Sequence, residues 1–177
     1  MTPELIKKLK SFTLLYAEDE SGIQNNLSEI LEVMFKEIYL ASNGEEALRL
    51  YTEKKPDLII TDIQMPKMTG MELIKKIRQR DSKTRVIITS AHTDLEYMLE
   101  AAELHLVKYI VKPITEDKLT IALENFIKSF EGSSIYNIIP SWSYDESKAI
   151  VKGEEEEYLL TKKENTFLKL LLQKNRI

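Results

Sequence analysis

Residues 57–73 read DLIITDIQMPKMTGMEL. Residues 58–61 form a short, almost wholly apolar run. Asp62 ends it, and a stretch punctuated by Pro66 and Gly70 leads into an amphipathic segment over 70–80. An apolar run of that length, bounded by turn residues, fits a strand buried on both faces. Strands of that kind belong to parallel sheets covered by helices on either side. Outward from it the same alternation recurs. Further apolar runs lie at 12–17, 38–41, 86–90 and 109–111, and helical patterns fill 22–35, 44–53, 94–103 and 116–130. Ile23, Leu27, Ile30, Leu31 and Met34 share one helical face, as do Leu119, Ala122, Leu123 and Phe126. The pattern predicts a doubly wound α/β domain around a five-stranded parallel sheet, its topology restricted by right-handed crossovers.

Helix signals agree. Asn43 precedes Gly44-Glu45-Glu46 and Thr115 precedes Glu116-Asp117, each an N-cap with acids in the first turn. Pro113 blocks a helix directly after the fifth run. Gly132-Ser133-Ser134 reads as linker, so a first domain is expected over 1–130, a linker over 131–134 and a different segment over 135–177. In that segment 135–140, 142–144, 149–152 and 157–160 look like short strands, with turns at 145–147 and 152–154. A helix follows, opened by Thr161 with Glu164 as a capping box, and Phe167, Leu168, Leu171 and Leu172 share a face. A few short strands and one helix bury little core, so the piece is expected to be small, antiparallel and incomplete.

Composition narrows the function. The chain has 177 residues, room for one ordinary domain and a fragment of another. At 43% hydrophobic and 31% charged it is not a disordered chain. The absence of Cys removes disulfide scaffolds, thiolate nucleophiles and Cys-based zinc sites, and two His, at 92 and 105, are too few for an imidazole zinc site. No apolar stretch is long enough to span a bilayer, and the N-terminus lacks a signal peptide's apolar core; a cytoplasmic protein without a membrane partner is the expectation. Net charge is −4, and neither the first 130 residues nor the remainder carries more Lys and Arg than Asp and Glu. Self-sufficient nucleic-acid binding is disfavoured.

Ligands of open α/β sheets bind beyond the carboxyl ends of the strands. Those ends carry Glu18, Asp19 and Glu20 after the first run, Asp62 after the third, Ser90 at the fourth and Lys112 after the fifth. Converging carboxylates repel one another unless a cation lies between them, and hard oxygen donors point to Mg2+. A carboxylate beside that metal is a nucleophile toward a phosphoryl group, whose equatorial oxygens an ammonium and a hydroxyl would neutralise and orient. Lys112 stays cationic because it faces acids, and Pro113 after it is a candidate for a cis bond. Taken singly, an Asp ending a strand is usually a helix N-cap and a Lys-Pro pair usually a loop. Four such groups at four strand ends of one sheet are not dismissed that way.

The stretches LLYAEDES (14–21), DLIITDIQMPKMTGMEL (57–73), RVIITSAH (85–92) and KYIVKPI (108–114) resemble the receiver domain of two-component response regulators, over about residues 11–130. The resemblance implies a flavodoxin-like fold in which Asp62 accepts phosphate from a phosphohistidine on a sensor histidine kinase. It implies a Mg2+ site at the acidic pair Glu18 and Asp19, Asp62 and the backbone carbonyl of Gln64. Ser90 and Lys112 match the hydroxyl and ammonium that contact the phosphoryl group. Tyr109 matches the switch aromatic, which turns inward as the Ser90 hydroxyl moves, biasing a surface made of 94–103, the fifth strand and 116–130. Such a chain is a phosphoacceptor signalling protein that assists its own phosphorylation and dephosphorylation rather than an enzyme with an external substrate. Other candidates weigh less: His92 is a solvated loop residue, Met65, Met68 and Met71 are packing contacts, and Glu154–Glu157 is a solvated tip.

The stretch YLLTKKENTFLKLLLQKNRI (158–177) resembles the beginning of the winged-helix effector domain of OmpR/PhoB-type regulators. The family's recognition helix, which enters the major groove, is not among these residues. The expectation is a phosphorylation-switched regulator whose full-length form controls transcription, with promoter DNA as partner only where the effector is complete. The family's homodimer uses the same 94–103, fifth-strand and 116–130 face; Leu106-Val107-Lys108 replaces its usual acidic pair there. Two alternatives stand beside this reading. One is a receiver acting through protein docking without DNA. The other is a metal-dependent phosphohydrolase, disfavoured because Gln64 occupies the place of a general acid two residues after Asp62.

Overall fold

The computed structural model describes residues 1–91, 104, 106–130, 135–139, 142–145, 150–153, 156–161, 163–164 and 166–168. They fall into two compact units, Met1–Ile127 and Lys128–Ile177. In the first unit β1 (Thr13–Ala17), β2 (Glu37–Ala41), β3 (Leu58–Asp62), β4 (Arg85–Ser90) and β5 (Lys108–Val111) form a parallel sheet in the order β2-β1-β3-β4-β5. Every residue of β3 is buried, as befits its central place, while the edge strand β2 is only half-buried. Helices α2 (Ser21–Met34), α3 (Gly44–Lys54), α4 (Gly70–Arg78) and α5 (Glu116–Phe130) lie between and after the strands.

Alternation along the strands sends side chains to two cores. Leu14, Tyr16, Ile60, Ile87 and Ile110 pack with Leu31, Leu123 and Phe126 on one face. Leu15, Ile59, Ile88, Leu73 and Ile77 pack on the other, together with Met65, Met68 and Met71. The methionines are therefore core, as their spacing suggests. Phe12 meets Phe126 edge to face at 5.1 Å between ring centroids, a geometry worth about 0.5–1.5 kcal/mol beyond the area it buries.

Local capping follows the sequence closely. The Asn43 side chain accepts from the Glu46 N–H at 3.0 Å, and the Thr115 hydroxyl from the Lys118 N–H at 3.4 Å. Two starts were not anticipated. Thr69 and Glu72 close a full capping box at the head of α4. A seven-residue helix, α1 (Pro3–Leu9), precedes β1, capped by Thr2, with Pro3 in its first turn and Leu5 and Leu9 buried in the first core. The segment over 94–103, the linker over 131–134 and both histidines lie outside the described residues.

In the second unit β6 (Ile135–Ile139), β7 (Trp142–Asp145), β8 (Ile150–Lys152) and β9 (Glu157–Leu159) form an antiparallel sheet in chain order. The Gly153 N–H donates to the Glu156 carbonyl at 2.8 Å, closing the turn between β8 and β9. Residues 163–164 and 166–168 are helical. The Thr161 hydroxyl donates to the Glu164 carboxylate at 2.7 Å and accepts from the Glu164 N–H at 3.4 Å, the capping box read from the sequence. Tyr144 is buried, whereas Tyr158, Leu159 and Phe167 are exposed, in keeping with a piece of limited core.

Candidate functional site

The sheet order reverses direction at β1 and β3: from β1 the chain moves outward to β2, and β3 returns on the other side. The crevice beyond the carboxyl ends of these two strands is the topological switch point where open α/β sheets take ligands. Asp62 is the last residue of β3, and Glu18 directly follows β1. The Glu18 N–H donates to the Ala41 carbonyl at 3.0 Å, so the ladder runs one residue past the strand and fixes the acid's direction. Gln24, on α2, locks the same turn: its side-chain amide donates to the Glu18 and Ala41 carbonyls, both at 2.8 Å. Sequence reasoning missed Gln24. Its only signal is a polar residue one place after Ile23 on an otherwise apolar helix face.

The loop after β3 is pinned just as closely. The Ile63 N–H donates to the Thr89 carbonyl at 3.1 Å, and the Gly70 N–H returns to the Ile63 carbonyl at 2.9 Å. Gly70 opens α4 against the end of β3 so tightly that a Cβ there would overlap the Asp62 carbonyl oxygen. Gln64 sits inside this closed loop with its side chain exposed.

On β5's side, the Lys112 N–H donates to the Ser90 carbonyl at 2.7 Å, one step beyond the Ser90–Val111 pair, and Lys112 is joined to Pro113 by a cis bond. The Lys112 ammonium lies 2.6 Å from Asp62 Oδ2 and 2.9 and 3.2 Å from the two Glu18 oxygens. Glu18 is fully buried and Lys112 partly so. Burial pushes the Glu18 carboxyl up, as does the Asp62 charge, against the lowering hydrogen bond from Lys112. Burial would lower Lys112, but its hydrogen bonds to Asp62 and Glu18 and their charges outweigh it and hold the ammonium above its ordinary pKa.

Carboxylate oxygens of Glu18, Asp19 and Asp62 lie within 4.8 Å of one another. Among the described residues, three acids gather where one ammonium, Lys112, touches two of them, an excess of negative charge on hard oxygen donors that suits a divalent cation of the Mg2+ type. Ser90 ends β4, fully buried, on the sheet face opposite Asp62 and Thr89. Tyr109, half-buried, pairs with Ile88 and emerges on that same face as Ser90. The structure thus gathers Glu18, Asp19, Asp62 and Lys112 into one cluster. Ser90 and Tyr109 sit on adjoining strands around the sheet edge.

Residues 14–124 match the model of the response regulator receiver domain. The chain belongs to the response regulator receiver family. Among curated proteins, the transcriptional regulatory protein HptR of Staphylococcus aureus (strain NCTC 8325 / PS 47) is 31% identical over 151 residues, covering 83% of this chain. The chain spans only 59% of HptR's length. Among solved structures, the N-terminal domain of an uncharacterized protein from Wolinella succinogenes superposes with a TM-score of 0.63 at 36% identity, covering 68% of this chain and 99% of that one. The CheX-CheY-BeF3-Mg+2 complex from Borrelia burgdorferi gives a TM-score of 0.60 at 29% identity, covering 67% and 89%. Receiver membership makes this a phosphoacceptor signalling protein rather than a conventional enzyme.

Proposed function

We propose that the protein is a two-component response regulator that accepts a phosphoryl group on Asp62 from a sensor histidine kinase. The observation that carries this reading is the Lys112 ammonium, held between Asp62 and Glu18 at the switch point of a receiver sheet. An Asp62 carboxylate oxygen attacks phosphorus, the P–N bond to the kinase histidine breaks, and its electron pair returns to the imidazole. The product is an acyl phosphate on Asp62. A Mg2+ ion bound by Glu18, Asp19, Asp62 and the Gln64 carbonyl would neutralise the crowded acids and the incoming phosphoryl oxygens. Lys112 donates to one phosphoryl oxygen and the Ser90 hydroxyl moves to another. Tyr109, which shares the sheet face of Ser90, turns into the space vacated.

Under this reading residues 1–130 are the receiver, 131–134 the linker and 135–177 the first part of a winged-helix-like effector. An antiparallel sheet followed by a Thr161–Glu164 helix start supports the last assignment, and the name of HptR, a transcriptional regulatory protein, supports a transcriptional output. Phosphorylation favours a homodimer through 94–103, β5 and α5, and promoter DNA is the target of the full-length protein. The kinase encounter belongs in the cytoplasm; among the described residues no helix is long and apolar enough to cross a membrane.

Intact-mass measurement after incubation with acetyl phosphate tests the central claim. One phosphoryl group is expected on the wild type with Mg2+, and none on Asp62→Asn or after chelation. No adduct, or one that survives the substitution, overturns the assignment.

A further inference from the structure

Among the described residues, two buried side-chain hydroxyls make no hydrogen bond, and both lie on the sheet face of the acid cluster. They are Tyr16 Oη and Thr89 Oγ1. Thr89 pairs directly with Asp62 across β3 and β4. Tyr16 is two residues before Glu18, so strand alternation places the two side chains on one face, with the fully buried phenol beneath the carboxylate. Burial, then the charges of Glu18 and Asp62, hold the phenolic proton in place, and a weak hydrogen-bonding pull from the Glu18 carboxylate adds to them, although the hydroxyl makes no hydrogen bond of ordinary geometry. A buried donor left unused costs free energy. The cost invites a state in which the donor is used.

That state follows from counting protons on Lys112. Its three ammonium hydrogens face two Glu18 oxygens and one Asp62 oxygen. Contact with a phosphoryl group, the role argued above, draws on the same three hydrogens and so competes with Glu18 for them. Glu18 is fully buried, so a neighbouring protein donor is better placed than bulk water to complete its hydrogen bonding beside the metal site. We infer that Tyr16 is a positioning residue: its hydroxyl donates to the Glu18 carboxylate when Lys112 turns to the phosphoryl oxygens, keeping Glu18 directed at the metal site.

This rests on the phosphoacceptor reading, and the test separates the two. The whole chain, as wild type and Tyr16→Phe, is titrated calorimetrically with fluoroberyllate at saturating Mg2+, and its melting temperature is measured without either ligand. The unloaded Tyr16→Phe protein is expected to melt no lower than wild type, because it loses only an unpartnered hydroxyl. Its fluoroberyllate affinity is expected to fall about tenfold, one hydrogen bond's worth. The deficit should shrink in a Glu18→Gln background, whose neutral amide oxygen is a weaker acceptor than the carboxylate, as expected when two residues act through one bond. Equal affinity in Tyr16→Phe and wild type refutes the inference while leaving the phosphoacceptor reading intact. A lowered melting point with unchanged affinity assigns Tyr16 to packing and refutes it too. A wild type that binds no fluoroberyllate overturns the phosphoacceptor reading, and this inference with it.

Discussion

Replacing Lys112 with Met removes an ammonium that touches both Glu18 and Asp62 while keeping most of the side chain's volume. Breaking a buried ion pair by deleting one partner costs about 3–5 kcal/mol, because the other charge is left unpaired in a poorly solvated place. Glu18 is fully buried, but the Lys112 and Asp62 side chains keep 14% and 9% of their exposure, so the lower end applies, about 3 kcal/mol at neutral pH. The sign of the pH dependence follows from Glu18. Burial and the Asp62 charge already raise its pKa above the ordinary 4.5, and removing Lys112 takes away the main opposing influence. An acid whose folded-state pKa is raised destabilises the fold above that pKa, and the cost disappears as pH falls and the carboxyl binds its proton. The variant should therefore be much less stable than wild type near pH 7 and approach it near pH 5.

Far-UV circular dichroism during urea unfolding measures this. Lys112→Met with Glu18→Gln should recover most of the loss, as should millimolar Mg2+, which supplies the missing cation. A deficit equal at both pH values, and unrelieved by Glu18→Gln, would mean that Lys112 contributes packing only. The electrostatic account of the cluster would then fail.

Other perturbations read out the supports of the site. Gly70→Ala should destabilise the receiver unit by about 1–3 kcal/mol, the usual cost of overpacking, since its Cβ would meet the Asp62 carbonyl; its phosphorylation by acetyl phosphate should slow as the end of β3 is displaced, and an unchanged rate would refute that link. Asp81→Ala should cost about 1–2 kcal/mol at pH 7, after allowance for solvent access. Burial works against the Asp81 carboxylate, but hydrogen bonds from Thr84, Tyr51 and the Lys83 and Thr84 N–H groups outweigh it and hold its pKa well below the ordinary 3.8. That stability is present above 3.8 and lost as pH falls through the lower folded value, so the gap between variant and wild type should close in acid unfolding curves.

How much of this was legible depended on whether the signal was local. The five strands were readable because a doubly covered parallel sheet demands continuous apolar runs, and each run was found within a residue or so of its observed bounds. The acids and Lys112 were readable because the fold class sends strand ends to a common edge. The helix over Pro3–Leu9 went unread although Thr2-Pro3 is a fair start signal, because seven residues show barely two turns of periodicity; Leu5 and Leu9 are recruited by a core built mostly from distant strands. Gln24 and Tyr16 were invisible for a related reason. Their significance lies in what surrounds them, a carbonyl pair in one case and an unfilled donor in the other, and neither is encoded at fixed spacing.

The cluster's geometry also bears on how a local event reaches the rest of the receiver. Lys112 is both the cation of the site and the residue whose N–H extends the β4–β5 ladder onto the Ser90 carbonyl. A change in what its ammonium holds therefore pulls on a backbone already hydrogen-bonded to Ser90, and Val111 and Tyr109 lie just before it on the same strand. Glu18 is tied just as firmly to β2 and α2 through Ala41 and Gln24. The acid side of the cluster is thus anchored to elements with little freedom, and the lysine side to the strand that carries Tyr109. Under the proposed phosphorylation of Asp62, Lys112 is the cation in place to answer the added charge, and its backbone bond to Ser90 leads that answer toward β5. The proposed switch at Tyr109 lies on that strand, where a change so routed would be delivered.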